Sequence, residues 1–201
     1  MVEIAVAGGI AYLFGSFSSA VIICKIMGLP DPRTEGSKNP GATNVLRIGG
    51  KKAALVTLLG DSLKGLIPVL AAKWYGLDPL GLSIVALAAF IGHLFPIFFR
   101  FEGGKGVATA IGTLLALSWP SGIAWIATWL MIAILFRYSS LAALVASILA
   151  PVYIWYFTHN FTYALTLILM SSLLIYRHRS NVIHLIEGKE NKIGTKKSDR
   201  G

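Results

Sequence analysis

AALVTLLGDSLKGLIPVLAAKW, residues 53–74, decides the fold. It is oily and of the length that crosses a bilayer as a helix, about 20 residues, yet it carries Asp61 and Lys64 inside it. Three positions apart, the two charges share one helical face, roughly 12 Å beyond Ala53 at 1.5 Å per residue. Ionisable groups at such depth are costly and normally face a bundle interior or a wet cavity. Two readings follow: a functional pair, or an internal ion pair that fixes packing.

Working outward, the same oily character recurs at 2–27, 80–99, 107–117, 123–136, 141–157 and 161–176. With 55% hydrophobic and 13% charged residues among 201, and a mean hydropathy of +0.70, the chain has more apolar surface than a soluble domain of its size hides. The expectation is one all-α, polytopic membrane domain over 1–201, of about seven spans, with a short charged, solvated tail from about 186. Span 107–117 is short, so it is tilted or runs on through Lys105 and Trp119; Trp119-Pro120-Ser121-Gly122 reads as a turn. Glu3 and the lack of a basic leader argue for a first span rather than a cleaved signal. No internal repeat is found, and the lone Cys24 sits in an oily run as a core residue.

An odd number of spans puts the termini on opposite sides. Sixteen of the eighteen Lys and Arg fall on one side, leaving Lys73 outside and Lys64 within the membrane. The positive-inside rule makes that side, with the C-terminus, cytoplasmic and the N-terminus external. The net charge of +9 therefore answers to anionic lipid rather than nucleic acid.

Three polar segments share that side. Gly36-Ser37-Lys38-Asn39-Pro40-Gly41-Ala42-Thr43-Asn44, followed by Arg47, combines turn formers with hydrogen-bonding groups and cations, an inventory that suits phosphate, although such loops also simply turn the chain. Glu102-Gly103-Gly104-Lys105-Gly106 opens a helix, so unpaired N–H groups and the helix dipole favour an anion there. It is not a P-loop, because Gly106 follows Lys105. Arg177-His178-Arg179-Ser180-Asn181 closes the last span, with His178 and Asn181 three apart. No metal-ligand spacing occurs.

Together with Gly92-His93-Leu94-Phe95-Pro96 and Asp61-Ser62-Leu63-Lys64-Gly65, these segments resemble the bacterial acyl-phosphate:glycerol-3-phosphate acyltransferase family in order and spacing over nearly the whole chain. The resemblance implies a seven-helix inner-membrane enzyme without cofactor or metal. It would make lysophosphatidic acid from glycerol 3-phosphate and an acyl phosphate supplied by a soluble partner synthase. The family usually has glycine at Lys38, lysine at Glu102 and isoleucine at Val182; Glu102 is expected to turn away from phosphate or pair with Arg100.

On this reading Lys105, the backbone of Gly103, Gly104 and Gly106, and Arg47 clamp phosphate. Ser37, Asn39 and Asn44 bond substrate oxygens, and His178 and Asn181 orient the acceptor. Gly36, Gly41, Thr43, Asp61, Lys64 and His93 complete the substrate-binding set. The acceptor's proton goes to His178 or to the substrate's own phosphate. A covalent route through Ser37 is less favoured, since no base is evident beside it and the donor is already activated. Two rivals are weaker. An H-x-x-x-x-D thioester acyltransferase signature is absent after every histidine. An anion carrier would want polar groups along a through-path, whereas the outward turns are nearly featureless.

Overall fold

The computed structural model describes residues 1–194; 195–201, with Lys196, Lys197 and Arg200 of the expected tail, lie outside the described residues. The fold is all-helical: α1 Val2–Gly15, α2 Ser19–Ile26, α3 Ala42–Tyr75, α4 Pro79–Leu94, α5 Val107–Leu117, α6 Trp119–Phe136, α7 Ser139–Thr158, α8 Phe161–Arg177 and α9 Arg179–Ile186, with a 3-10 turn at Ile97–Phe99. Among the described residues five segments are long and apolar enough to cross a membrane: Val2–Ile26, Ala42–Tyr75, Pro79–Phe99, Trp119–Phe136 and Ser139–Thr158. Val107–Leu117 and Phe161–Arg177 are shorter apolar helices.

Small residues set the packing. α3 lies along α5, where Gly65 faces the Thr109 backbone and Gly112 the Ser62 backbone so closely that a Cβ at either would overlap a carbonyl oxygen. α1 lies along α4 through the Gly15–Ala89 and Gly92–Tyr12 approaches, as expected where lipid removes the hydrophobic drive and close backbone contact takes over. The main core joins Phe90, Leu114, Trp125, Ile154, Met170 and Leu174. Cys24 is buried in a smaller cluster with Ala20, Val45 and Ala53.

Several expected boundaries move, each for a local reason. The first span breaks at Ser16–Ser18: Ser16 Oγ bonds back to the Tyr12 carbonyl, and Ser18 caps α2 at Val21 N. That break frees the Phe17 carbonyl, which accepts from Lys64 Nζ at 2.8 Å. α3 begins at Ala42 instead of 53 and bends at Gly50, whose φ of 76° interrupts the helix. Thr43, Asn44 and Arg47 therefore ride on a helix, not a loop. The third span stops at Leu94 because Pro96 withholds an N–H. Trp119-Pro120-Ser121-Gly122 is the first turn of α6, with Pro120 at a position that needs no donor.

The end of the chain is the largest correction. Residues 179–186 are helical, and the following segment is tied back: Ile193 N donates to the Arg137 carbonyl at 2.6 Å, and Arg137 Nη2 to the Ile193 carbonyl at 3.0 Å. Glu190 accepts from Ser140 Oγ at 2.7 Å. Up to 194 the tail is thus tied at Glu190 and Ile193 to Ser140 and Arg137, while most of its other side chains remain exposed as expected.

Candidate active site

Three distant segments meet at the ends of α3, α5 and α8. The strip Gly103-Gly104 is buried and packs on the C-terminus of α4, where Gly104 N donates to the His93 carbonyl at 3.2 Å. A Cβ on Gly103 would overlap the His93 and Leu94 carbonyl oxygens, and one on Gly104 would overlap His93 Nε2 and crowd the Pro40 carbonyl. The glycines are there for close approach, and the 36–44 segment lies against the same strip. Arg177 holds its other side, donating from Nη2 to Gly103 O at 2.7 Å and from Nε to Gly104 O at 3.2 Å while lying over the Phe95 ring.

Beyond the strip, Lys105 Nζ donates to Asn181 Oδ1, and Asn181 Nδ2 donates to Glu190 Oε1 at 2.8 Å. Burial pushes the Lys105 ammonium below its ordinary range; Glu190 opposes this, and the neighbouring charges of Arg177 and Arg47 reinforce it. An ammonium surrounded by cations gains from an arriving anion. His178 caps α8 and is buried, its Nδ1 2.8 Å from the Leu174 carbonyl. A carbonyl only accepts, so Nδ1 carries the proton and Nε2 is left as the acceptor of the neutral ring. Burial lowers its pKa to about 4, the Leu174 bond opposing and the Lys105 charge adding.

The first segment divides. Asn44 is buried and fully committed: Nδ2 donates to the carbonyls of Pro32 at 2.9 Å and Glu35 at 3.0 Å, and Oδ1 accepts from Ser37 N at 2.8 Å. Gly36, at φ 65°, leaves room for that amide. Asn44 thus shapes the loop, and its polar atoms face protein. Ser37 and Arg47 are exposed, Asn39 and Gly41 half-buried, and Thr43 Oγ1 lies 3.3 Å from Ser139 Oγ on α7.

Asp61, Lys64 and His93 come together inside the bundle. Lys64 Nζ is 2.9 Å and His93 Nδ1 3.7 Å from Asp61 Oδ1, and Thr109 Oγ1 donates to the Asp61 carbonyl. All three side chains are at most 5% exposed. They sit behind the glycine strip, touching it through His93.

An open cleft of ≈ 380 Å³ adjoins the strip, walled by Arg33, Lys38, Pro40, Phe101, Glu102 and Arg177. Glu102 pairs with Arg33, Oε2 to Nη1 at 3.5 Å, and not with Arg100. Sequence reasoning missed Arg33, Ser140 and Glu190. Arg33 carried a weak signal in Pro30-Asp31-Pro32-Arg33; Glu190 carried none, since its partners are 9 and 50 positions away. No group of three His, Cys, Asp or Glu among the described residues is placed to hold a metal ion.

A bundle of apolar helices with cations and glycines gathered at one end defines an integral membrane protein whose candidate site is suited by its charge to an anion. Residues 5–188 match the family model described as glycerol-3-phosphate acyltransferase. A glycerol-3-phosphate acyltransferase of Methylococcus capsulatus is 55% identical over 93% of this chain and 94% of its own length; one of Cupriavidus pinatubonensis is 58% identical over 93% and 95%. Among solved structures, the glycerol 3-phosphate form of PlsY (YgiH), an integral membrane glycerol 3-phosphate acyltransferase, superposes with a TM-score of 0.91 at 40% identity over 96% of both chains. Its lysophosphatidic acid form gives 0.89 at 39%, again over 96% of both. The chain belongs to the glycerol-3-phosphate acyltransferase family.

Proposed function

We propose that this enzyme takes its acyl group from an acyl phosphate and places it on the 1-hydroxyl of glycerol 3-phosphate, releasing lysophosphatidic acid and inorganic phosphate. The observation that carries the reading is Lys105: a half-buried ammonium, held by Asn181 and crowded by Arg47 and Arg177, on the loop that opens α5. Both reactants are anions, and a site joining them must neutralise two phosphates while one hydroxyl reaches the acyl carbon. Lys105 and Arg47 clamp phosphate. Ser37, Asn39 and Thr43 line the approach, with Gly36 and Gly41 giving their loop its shape, and Asn181 fixes the lysine.

In the reaction the acceptor oxygen bonds to the acyl carbon, the carbon–oxygen bond to phosphate breaks, and the electron pair leaves with phosphate. Neutral His178 offers Nε2 as an acceptor that can aim the hydroxyl. With its pKa near 4 the ring is too weak a base to keep the proton at neutral pH, so the proton ends on the released phosphate. The mixed anhydride is already activated, which makes an acyl-enzyme on Ser37 unnecessary.

The charge bias supports seven crossings, with α5 and α8 as the short ones, an external N-terminus and a site facing the cytoplasm in the bacterial inner membrane. A soluble acyl-phosphate synthase would deliver the donor from that side. Purified enzyme given acyl phosphate and labelled glycerol 3-phosphate is expected to form labelled lysolipid, with Lys105→Ala at least ~100-fold slower though folded. Turnover only with a thioester donor, undiminished turnover in Lys105→Ala, or uptake into proteoliposomes without product would each end this reading.

A further inference from the structure

The cleft beside the glycine strip holds a second cationic position that the assignments above leave unused. Its wall carries three cations, Arg33, Lys38 and Arg177, against one carboxylate, Glu102. Arg33 is answered twice, by a two-pronged contact with Asp31 (Nη2 to Oδ2 at 2.7 Å, Nε to Oδ1 at 3.1 Å) and by Glu102. Arg177 is held by the two carbonyls of the strip, which fix its direction and leave its charge uncancelled. Among the described residues the exposed Lys38 ammonium has no hydrogen bond or ion pair, so the uncompensated charge of the wall rests on Lys38 and Arg177.

The backbone makes the same point independently. Lys38 stands at φ 56° in the turn closed by Lys38 N to Glu35 O, a left-handed conformation disfavoured for any residue with a Cβ. Gly36, two positions earlier at φ 65°, is the residue such geometry prefers. Phe101, also of the cleft wall, is left-handed at φ 61°. Arg137 and His159, in contrast, are left-handed where helices end, a common location for that conformation. Strain kept in a cleft wall, on a side chain that presents a bare cation, points to a ligand.

We infer that Lys38, with Arg177, binds the phosphate monoester group of a substrate in this cleft, as a subsite separate from Lys105. The inference rests on the phosphate-dependent reaction proposed above and adds to it a second anion position on Arg177, to which Lys38 brings a charge particular to this chain. Arg177 supplies the fixed, directional donor and Lys38 the mobile charge that neutralises the remaining oxygens. Charge without geometry is what a lysine on a turn can offer, so its contribution belongs to affinity and is sensitive to salt.

Three substitutions separate charge from strain. Lys38→Ala removes the ammonium and keeps a Cβ at positive φ; Lys38→Gly removes both; Lys38→Arg keeps the charge. KM for glycerol 3-phosphate and for acyl phosphate is to be measured in each, at low and high salt. Ala and Gly are expected to raise one of the two constants about five-fold, by more than any fall in kcat, with the penalty shrinking in high salt and Arg staying near the parent. Whichever constant rises names the phosphate bound, acceptor or donor. Lys38→Gly should also melt above Lys38→Ala, so a loss in the glycine variant cannot be assigned to poor folding. Inorganic phosphate used alone as a thermal-shift ligand should protect the parent more than Lys38→Ala, which tests the subsite even if no acyl phosphate is turned over. Unchanged constants and equal protection by phosphate in both alanine and glycine variants would overturn the inference while leaving the acyl-transfer reading standing; absent turnover with differential phosphate protection would do the reverse.

Discussion

Two charged clusters lie on either side of the Gly103-Gly104 strip, and they differ in what their charges face. Behind the strip, Asp61, Lys64 and His93 face one another and the Phe17 carbonyl, with Lys64 only 5% exposed. In front, Lys38 shares the open cleft with Arg177, and Lys105 lies in the field of Arg177 and Arg47, with Asn181, Glu190 and the strip's carbonyls as the main company of these cations. The sequence offers both clusters as functional candidates, one by its depth within a span and the other as cations and glycines beside the spans. The difference is neutrality: a cluster that cancels its own charge in a place water does not reach is part of the framework, and one that leaves positive charge over beside an open cleft is ready for an anion.

The largest effect is expected behind the strip. Asp61→Ala leaves the Lys64 ammonium buried with a single carbonyl, which costs about 3–5 kcal/mol and should show as a large drop in melting temperature in detergent. Replacing both members, Asp61→Leu with Lys64→Met, should recover most of that loss. If the recovered double variant folds but no longer acylates, the rear cluster touches substrate and the contrast fails.

A smaller effect sharpens the contrast at its boundary. His178 folds with a pKa of about 4, below the ordinary 6.5 of a histidine, so between those values the unfolded chain takes up a proton that the folded chain refuses. Stability should therefore fall as pH drops from about 6.5 to 4 and be flat for this group below that, a loss of about 3 kcal/mol. The melting temperature of His178→Asn should fall less than that of the parent over the same window; identical slopes would place no titration at His178.

The smallest effect tests the front. Glu102 is 65% exposed and its pair with Arg33 is 3.5 Å long, so Glu102→Gln should shift stability by less than about 0.5 kcal/mol. It removes the one carboxylate that the described residues give the cleft wall, and KM for an anionic substrate should fall by up to about two-fold. A stability loss comparable to Asp61→Ala would mean that the front is also framework.

Much of this was legible beforehand, unevenly. The helical class and the polar segments were readable because lipid demands long apolar runs, which any interruption by glycine, proline and charge makes conspicuous. Asp61 and Lys64 announced themselves by depth, and the family resemblance gave the three segments a common purpose. The break at Ser16–Ser18 was not readable, since serines continue a helix as easily as they cap one; what fixes it is the Lys64 ammonium waiting for the Phe17 carbonyl 47 positions away. Asn44 looked like a substrate contact because an amide at a loop gives no local sign of which oxygens it will meet. Glu190, in a lysine-rich run, looked solvated until Ser140 and Asn181 were placed around it.

By itself the sequence determined the solvent this chain lives in and the polar segments between its apolar runs in which most of its cations lie, because hydropathy and charge are sums over local composition. Only the tertiary structure decided which of those cations are answered and which are left bare. That distinction depends on partners brought together from distant positions, and Lys64 and Lys38 show it: one meets a carboxylate and a carbonyl in the bundle, and the other meets an open cleft.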